Sequence, residues 1–408
     1  MRAARWILGI ALAVVLLAVA AALIAALFIN PDRYRGDLQS AVRNATGRPF
    51  IVQGHLRLTF FPWLGVRMGA ARLGPPPGAS GPDLLDWQSA RVRVRLLPLL
   101  LHRQLEIGRI RVRGAHLHLL RGPNGTDSWD DLSRRLEASG PAGAGRTAPH
   151  PAGWGGLDLL DSSLDYVDER SQEHIRLTAW RLEIGPWHPG QPFSARTRFL
   201  LHLDTTGPHA SPVSPSGLRL PAEGIRIALD LPRLGIRTSP LEVSAPDWSL
   251  RIADARLRGA LQARRNASAH LSASGSLTAA IPSLRGLAAR LGVDLPRPAD
   301  PRALGALSLA ARWRYRLDTL TVAPLTAKLD ATTLTGWLAH AGGAQPAWRF
   351  ALRADQLDVG RYLTSSGQHQ PLALHVSALR ALHARGTLAL ARARLDGTTF
   401  TDVHLQVQ

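Results

Sequence analysis

No cysteine occurs anywhere in the 408 residues. That absence excludes a disulfide framework, a zinc–cysteine site, an iron–sulfur centre and a thiol nucleophile together. It also fits an oxidising compartment. Lysine is nearly absent: Lys328 is the only one, and every other basic residue is arginine. Catalytic motifs are missing as well. The chain contains no HExxH, no GxSxG elbow, no Walker loop and no dinucleotide fingerprint. Aromatics make up only 6% of the chain, yet Phe60, Phe61 and Trp63 fall within four positions, interrupted by Pro62 and followed by Gly65.

What is present begins with charge. Basic residues outnumber acidic ones by 49 to 30, for a formal net charge of +19. One reading is contact with phosphates, of nucleic acid or of lipid headgroups. The other is a genome that favours arginine codons, consistent with the alanine and glycine richness. The arginines are scattered rather than blocked, so charge alone does not decide.

The run Trp6–Ile29 carries no charged residue. As a helix it extends roughly 36 Å, enough to span a bilayer core with some tilt. Arg2 and Arg5 precede it, and Arg33, Arg35 and Arg43 follow it, so the positive-inside signal for a cytoplasmic N-terminus is weak. A cleaved signal peptide usually has an apolar region of only about 7–15 residues, although Ala18-Val19-Ala20 resembles a cleavage site. The expectation is a single-span anchor over residues 1–29, with the bulk of the chain outside the cytoplasm.

Asn30-Pro31-Asp32 reads as a helix start: a capping side chain, proline at the first helical position and an acid at the positive dipole end. Tyr34, Leu38, Ala41, Val42 and Ala45 follow at helical spacing, and Gly47 is placed to end the helix. The period then changes to two. RVRVRLL at 91–97 and RIRVRGAHLHLL at 109–120 alternate arginine or histidine with apolar residues. Parity slips at Gly114, where a bulge or tight turn would keep Ile110, Val112, Ala115, Leu117 and Leu119 on one face. His116 and His118 then share the arginine face, with no third ligand close in sequence. Asp127, Asp130 and Asp131 lack EF-hand spacing and read as a capped helix start with Trp129, Leu132 and Leu136 as its buried stripe.

Residues 139–156 have the composition of a loop. LDYVDERSQEHIRL at 164–177 predicts a hairpin turning around Asp168–Gln172. GIRIALDL at 224–231 sets Ile225, Ile227, Leu229 and Leu231 on one face. Similar alternation recurs at 249–261, 312–317, 325–338 and 387–395, separated by glycine- or proline-marked breaks, as in an antiparallel meander. Helices are expected near Ser283–Leu291 and Ser377–His383, and the last residues alternate Val403, Leu405 and Val407 with polar neighbours.

In order, NPDRYRGDL (30–38), ATGRPFIVQGHLRL (45–58), FPWLGVRMGAARLG (61–74) and the strands at 91–121 leading to GTDSWDDL (125–132) resemble the AsmA family of Gram-negative envelope proteins. The similarity continues through IPSLRGLAARLGVDLPRPADPRAL (281–304), LDATTLTGWLAH (329–340) and DQLDVGRYL (355–363). Family members usually continue well beyond this last segment, so the C-terminal part of the pattern is expected to be short or absent.

The resemblance implies a mostly β protein: a transmembrane helix, then an elongated, curved antiparallel β-groove with a few short helices. The expected organisation is an anchor at 1–29, an N-terminal segment at 30–138, a loop at 139–156 and a continuing groove at 157–408. The implied function is non-catalytic phospholipid transfer toward the outer membrane, from an inner-membrane anchor with the bulk in the periplasm. The implied partners are membrane phospholipids, the inner membrane and envelope proteins, with no nucleic acid and no cofactor or metal. Ile110, Val112, Leu117, Ile225, Ile227, Leu229, Leu231, Val403 and Leu405 are the candidate groove lining. Phe60, Phe61, Pro62, Trp63, Leu64 and Gly65 form the candidate membrane-proximal element, whose alternative is a local aromatic core under a turn. Two other classes stay open. One is a scaffold or regulator of outer-membrane protein assembly with a filled sandwich. The other is an envelope hydrolase, which the missing motifs disfavour.

Overall fold

The computed structural model describes residues 35–59, 63–78, 81–95, 105–138, 151–205, 220–238, 240–265, 270–293, 295, 298, 300–342, 347–362, 384–395 and 397–407. The apolar run Trp6–Ile29, the helix start at Asn30, residues Phe60, Phe61 and Pro62, and the helix expected near Ser377–His383 lie outside them. Among the described residues no helix is long and apolar enough to cross a membrane.

Alternation of apolar and polar residues translates into 24 strands, against four short helices, among the described residues. The mostly β expectation holds. Most of the pairings are antiparallel, but the sheet is mixed, with several parallel ones. The chain divides into two compact units, Met1–Gln191 with Thr197–Pro212 and Pro192–Arg196 with Val213–Gln408.

Unit 1 begins with helix α1 (Arg35–Thr46). Gly47 ends it at φ +74°, donating its N–H to the Arg43 carbonyl, as glycine after a helix commonly does. The strands that follow are each broken in the middle. β1 (Phe50–Val52) and β2 (Leu56–Thr59) pair antiparallel with β4 (Ala71–Leu73) and β3 (Trp63–Met68), respectively. Those pair in turn with β5 (Leu85–Trp87) and β6 (Ser89–Arg95). β7 (Leu105–Ile107), β8 (Ile110–Arg113) and β9 (His116–Arg121) come next. They run parallel to β10 (Pro151–Trp154) and to the two halves of β11 (Leu157–Asp168). β10 lies inside the stretch whose composition predicts a loop. Its neighbour β7 supplies the hydrogen bonds that a Pro/Gly-rich sequence would not signal. β11 turns through residues 169–172 into β12 (Glu173–Ile184), the expected hairpin.

The breaks line up as a crease across neighbouring strands. Gly114 sits between β8 and β9 at φ +60°, which is the bulge predicted by the parity slip. The same slip recurs at Asp161 on β11 and Ala179 on β12, with φ +49° and +50°. On the outer strands a Cβ added to Gly54 would come within 2.5 Å of the Gly69 Cα, so glycine is needed for that approach. On one side of the crease, Leu38 and Val42 of α1 and Leu132 of α2 (Asp130–Ala138) pack on a buried cluster of Phe50, Val52, Leu56, Ala71, Leu73 and Leu84. Here the chain's own helices cover the apolar face.

β13 (Phe193–Thr205) gives its first residues to unit 2 and the rest to unit 1. Unit 2 then continues as a meander of longer strands. These are β14 (Ile225–Thr238), β15 (Leu241–Ile252), β16 (Ala255–Arg265), β17 (Leu271–Ile281), β18 (Leu307–Arg316), β19 (Thr319–Leu329), β20 (Thr332–Ala341) and β21 (Ala347–Ala354). Each pairs antiparallel with the next. β21 and the two-residue β22 (Leu357–Asp358) both run parallel to β23 (Ala384–Leu395), which pairs with β24 (Thr398–Val407). Helix α3 (Leu284–Arg290) starts at Ser283, whose hydroxyl accepts from the Gly286 N–H. Helix α4 is the single turn Val359–Tyr362.

Candidate functional site, an apolar sheet face

Register shows what alternation alone leaves open, namely which apolar residues of different strands share a face. In unit 2, Ile227 and Leu229 lie opposite Ile252 and Leu250. Leu250 faces Leu257, Leu257 faces Ala279, Ala279 faces Leu309, and Leu309 faces Ala327. Ala327 then faces Leu334, Leu334 faces Ala354, Ala354 faces Leu390, and Leu390 faces Val403. One apolar face therefore runs unbroken from β14 to β24. The reverse face carries Arg256, Arg258, Ser274, Ser276, Arg312, Arg314, Thr321, Thr335 and Arg353, set by the same pairings.

Two devices keep that face apolar along twisted strands. Where a strand must gain a residue, the slip occurs at a bulge: between Ala245 and Trp248 on β15, and between Val322 and Leu325 on β19. Where a large ring must lie flat, the residue opposite is glycine. Trp248 faces Gly259 and Trp313 faces Gly275, and a Cβ on either glycine would be 2.9 Å from the ring. The ring covers backbone that glycine leaves bare.

Burial separates this face from an ordinary core. Along β18 half-buried residues alternate with exposed ones, and none of the ten is buried. The buried residues of the face include the small Ala245, Ala255, Ala279 and Ala354 beside Ile225, Leu325 and Leu390, whereas Leu271 and Leu405 are each 49% exposed. A face covered by a second layer would bury its leucines throughout. A hollow of about 590 Å³ opens on it near α4, lined by Leu307, Leu329, Leu334, Leu357, Leu388 and Leu390 among others. At its margin the Tyr362 hydroxyl donates to Asp330, which also accepts the Leu304 and Gly305 N–H groups. Burial and that carboxylate raise the tyrosine pKa above its ordinary value. The hollow offers apolar wall and almost no polar handle, a fit for hydrocarbon rather than for a reacting group.

Of the sequence-derived candidates, Ile225, Ile227, Leu229, Val403 and Leu405 belong to this face, at its β14 and β24 ends. Leu231 falls between Asp230 and Gly235, where the register of β14 with β15 is interrupted. Ile110, Val112 and Leu117 share an apolar face within unit 1, opposite Leu157, Leu159 and Leu164. Trp63, Leu64 and Gly65 open β3, paired with Arg95, Val94 and Arg93. The leucines of the hollow were missed. Their strands alternate legibly, but nothing local says that β18, β19, β20 and β23 converge on one spot.

The histidine pair is used locally. His116 Nδ1 lies 2.6 Å from the Ser163 hydroxyl, and His118 faces Asp86 at 3.9 Å. The acidic group is structural too. Asp127 pairs with Arg121, and its backbone N–H donates to the Asp130 carboxylate. Asp131 receives two hydrogen bonds from Arg48, a fully buried side chain that also donates to the Ser128 and Gly74 carbonyls. The ATGR and WDDL segments thus meet at one buried ion pair that ties α1's exit to α2's start.

Residues 1–188 match the model of the AsmA family. Neither the curated proteins nor the solved structures compared with the chain gave a match.

Proposed function

From the premise that this chain, through its residues 1–188, is an AsmA-family protein, we propose that it is a non-catalytic envelope protein whose unit 2 face holds phospholipid acyl chains during transfer toward the outer membrane. The observation that carries this reading is the strand-after-strand apolar face that stays half-exposed. Each methylene moved from water onto such a surface gains up to about 0.8 kcal/mol, so a few contacts hold a chain without trapping it. Polar headgroups would remain in water along the edge of the face. The uncharged run Trp6–Ile29 supports attachment to the inner membrane with the sheet on the periplasmic side.

A second reading, a scaffold for outer-membrane protein assembly without lipid transport, draws on unit 1, where α1 and α2 fill the apolar face. The two readings part at Ile227, which is half-buried, beside Ile225, which is 3% exposed. A photocrosslinking side chain at position 227 should give phospholipid adducts, and Ile227→Asp should melt near the wild-type temperature because water can reach the carboxylate. Ile225→Asp buries an unpaired charge and should be strongly destabilising. Absence of adducts, together with a collapsed melting temperature for Ile227→Asp, would favour the scaffold.

A further inference from the structure

The polar face of unit 1 carries an arrangement that neither the fold nor the acyl-chain reading uses. On adjacent strands Arg57 lies directly opposite Arg67, Arg67 opposite Arg91, and Arg91 opposite Arg111. Directly opposed side chains on a sheet have Cβ atoms roughly 4.5–5.5 Å apart, and like charges in that position are destabilising. The row meets a carboxylate only at Asp158, opposite Arg111. Asp158 is already shared by Arg109 at 2.5 Å and Arg111 at 3.0 Å. Arg57, Arg67 and Arg91 have no ion-pair partner among the described residues.

Random enrichment in arginine does not produce this row. In unit 2 the arginines of β18 face serines, Arg312 opposite Ser276, Arg314 opposite Ser274 and Arg316 opposite Ser272. Like-charged neighbours there come as single pairs, Arg251 with Arg256 and Arg349 with Arg385. Only in unit 1, among the described residues, do four arginines follow one another across four strands. Three of them, Arg67, Arg91 and Arg111, border a hollow of about 530 Å³ whose wall holds five guanidinium groups and two carboxylates, Asp158 and Glu183.

We infer that this row is a phosphate-binding cradle, and that its ligand is the phosphate of a lipid headgroup. Guanidinium forks present paired N–H donors that match phosphate oxygens, and an anion between them converts mutual repulsion into charge-assisted hydrogen bonds. The excess of cations over carboxylates leaves room for a ligand of at least one negative charge. The site stands without the acyl-chain reading, since its residues are all in unit 1 and its readout is at positions 67 and 91.

The test uses the full chain in nonionic detergent, titrated with short-chain phosphatidic acid and, separately, with inorganic phosphate. The variants are Arg67→Gln/Arg91→Gln and, as control, Arg314→Gln/Arg316→Gln. Wild type should bind the lipid, with inorganic phosphate competing only at much higher concentration. The unit 1 variant should bind about tenfold or more weakly, the loss expected for charged hydrogen bonds, and the control should bind like wild type. Phosphate should raise the unfolding midpoint of wild type but not that of the unit 1 variant, which at low salt should melt no lower than wild type. No binding, or equal loss in the control, would overturn the site. A lower midpoint for the unit 1 variant would do the same, by making the row a structural element. Equal affinity for inorganic phosphate would overturn the lipid assignment.

Discussion

At the scale of single residues, Arg48 and Asp131 form an ion pair whose arginine is fully buried. Arg48 is 0% exposed and joins four acceptor atoms on three residues, Gly74, Ser128 and Asp131. Removing one partner of a buried ion pair leaves the other charge stranded, which costs roughly 3–5 kcal/mol. Asp131→Ala should therefore lower the unfolding midpoint of unit 1 by many degrees, whereas Asp83→Ala, at a solvent-accessible pairing with Arg72, should change it little. The hydrogen bonds from Arg48 hold the Asp131 pKa below its ordinary value. A depressed carboxylate pKa stabilises the fold above the unfolded-state value, about 3.9, and that stability is lost as pH falls through the lower folded-state value. Unfolding by urea at pH 7 and at pH 3 should show this loss in wild type, with a smaller pH-dependent change in Asp131→Asn.

At the scale of elements, the crossing of rings over glycines sets the geometry of the unit 2 strands. A Cβ at Gly275 would be 2.0 Å from the Ala260 carbonyl oxygen, a backbone atom that can move only with its strand. Gly275→Ala should thus destabilise by about 1–3 kcal/mol, the usual cost of overpacking. Gly36 in α1 has open space around its Cβ position, and there the same change should be neutral or stabilising by up to about 1 kcal/mol. Chemical denaturation of the two variants, with unchanged slopes, separates the effects. A Gly275→Ala protein as stable as wild type would mean that the strands are not held at the described spacing.

At the scale of the whole molecule, function turns on whether the apolar face is occupied. Ala327 lines the hollow beside Leu307, Leu329 and Leu334. Ala327→Trp fills part of that space with the chain's own side chain. If acyl chains occupy it, the variant should copurify with less phospholipid by mass spectrometry while its melting temperature stays level or rises. Thr326→Trp, on the opposite face, should leave the lipid content unchanged. Equal lipid in all three proteins would remove the hollow from the path.

The sequence by itself determined the period and therefore the class. Alternation in RWRYRL (312–317) or GIRIALDL (224–231) points to a strand with one apolar face. It also located Gly114 as a bulge or tight turn and Gly47 as a helix stop, because each is a local conformational requirement met by a particular residue type. Tertiary structure decided everything that depends on which strand lies beside which. The parallel pairings of β7 to β11, the hollow beneath α4, the row Arg57–Arg67–Arg91–Arg111 and the ion pair between residues 48 and 131 all join distant positions. Alternation says that a residue faces one way or the other. Only register sums those faces across strands, and that sum leaves unit 1 partly capped by its helices and the apolar residues of β18 in unit 2 half in water.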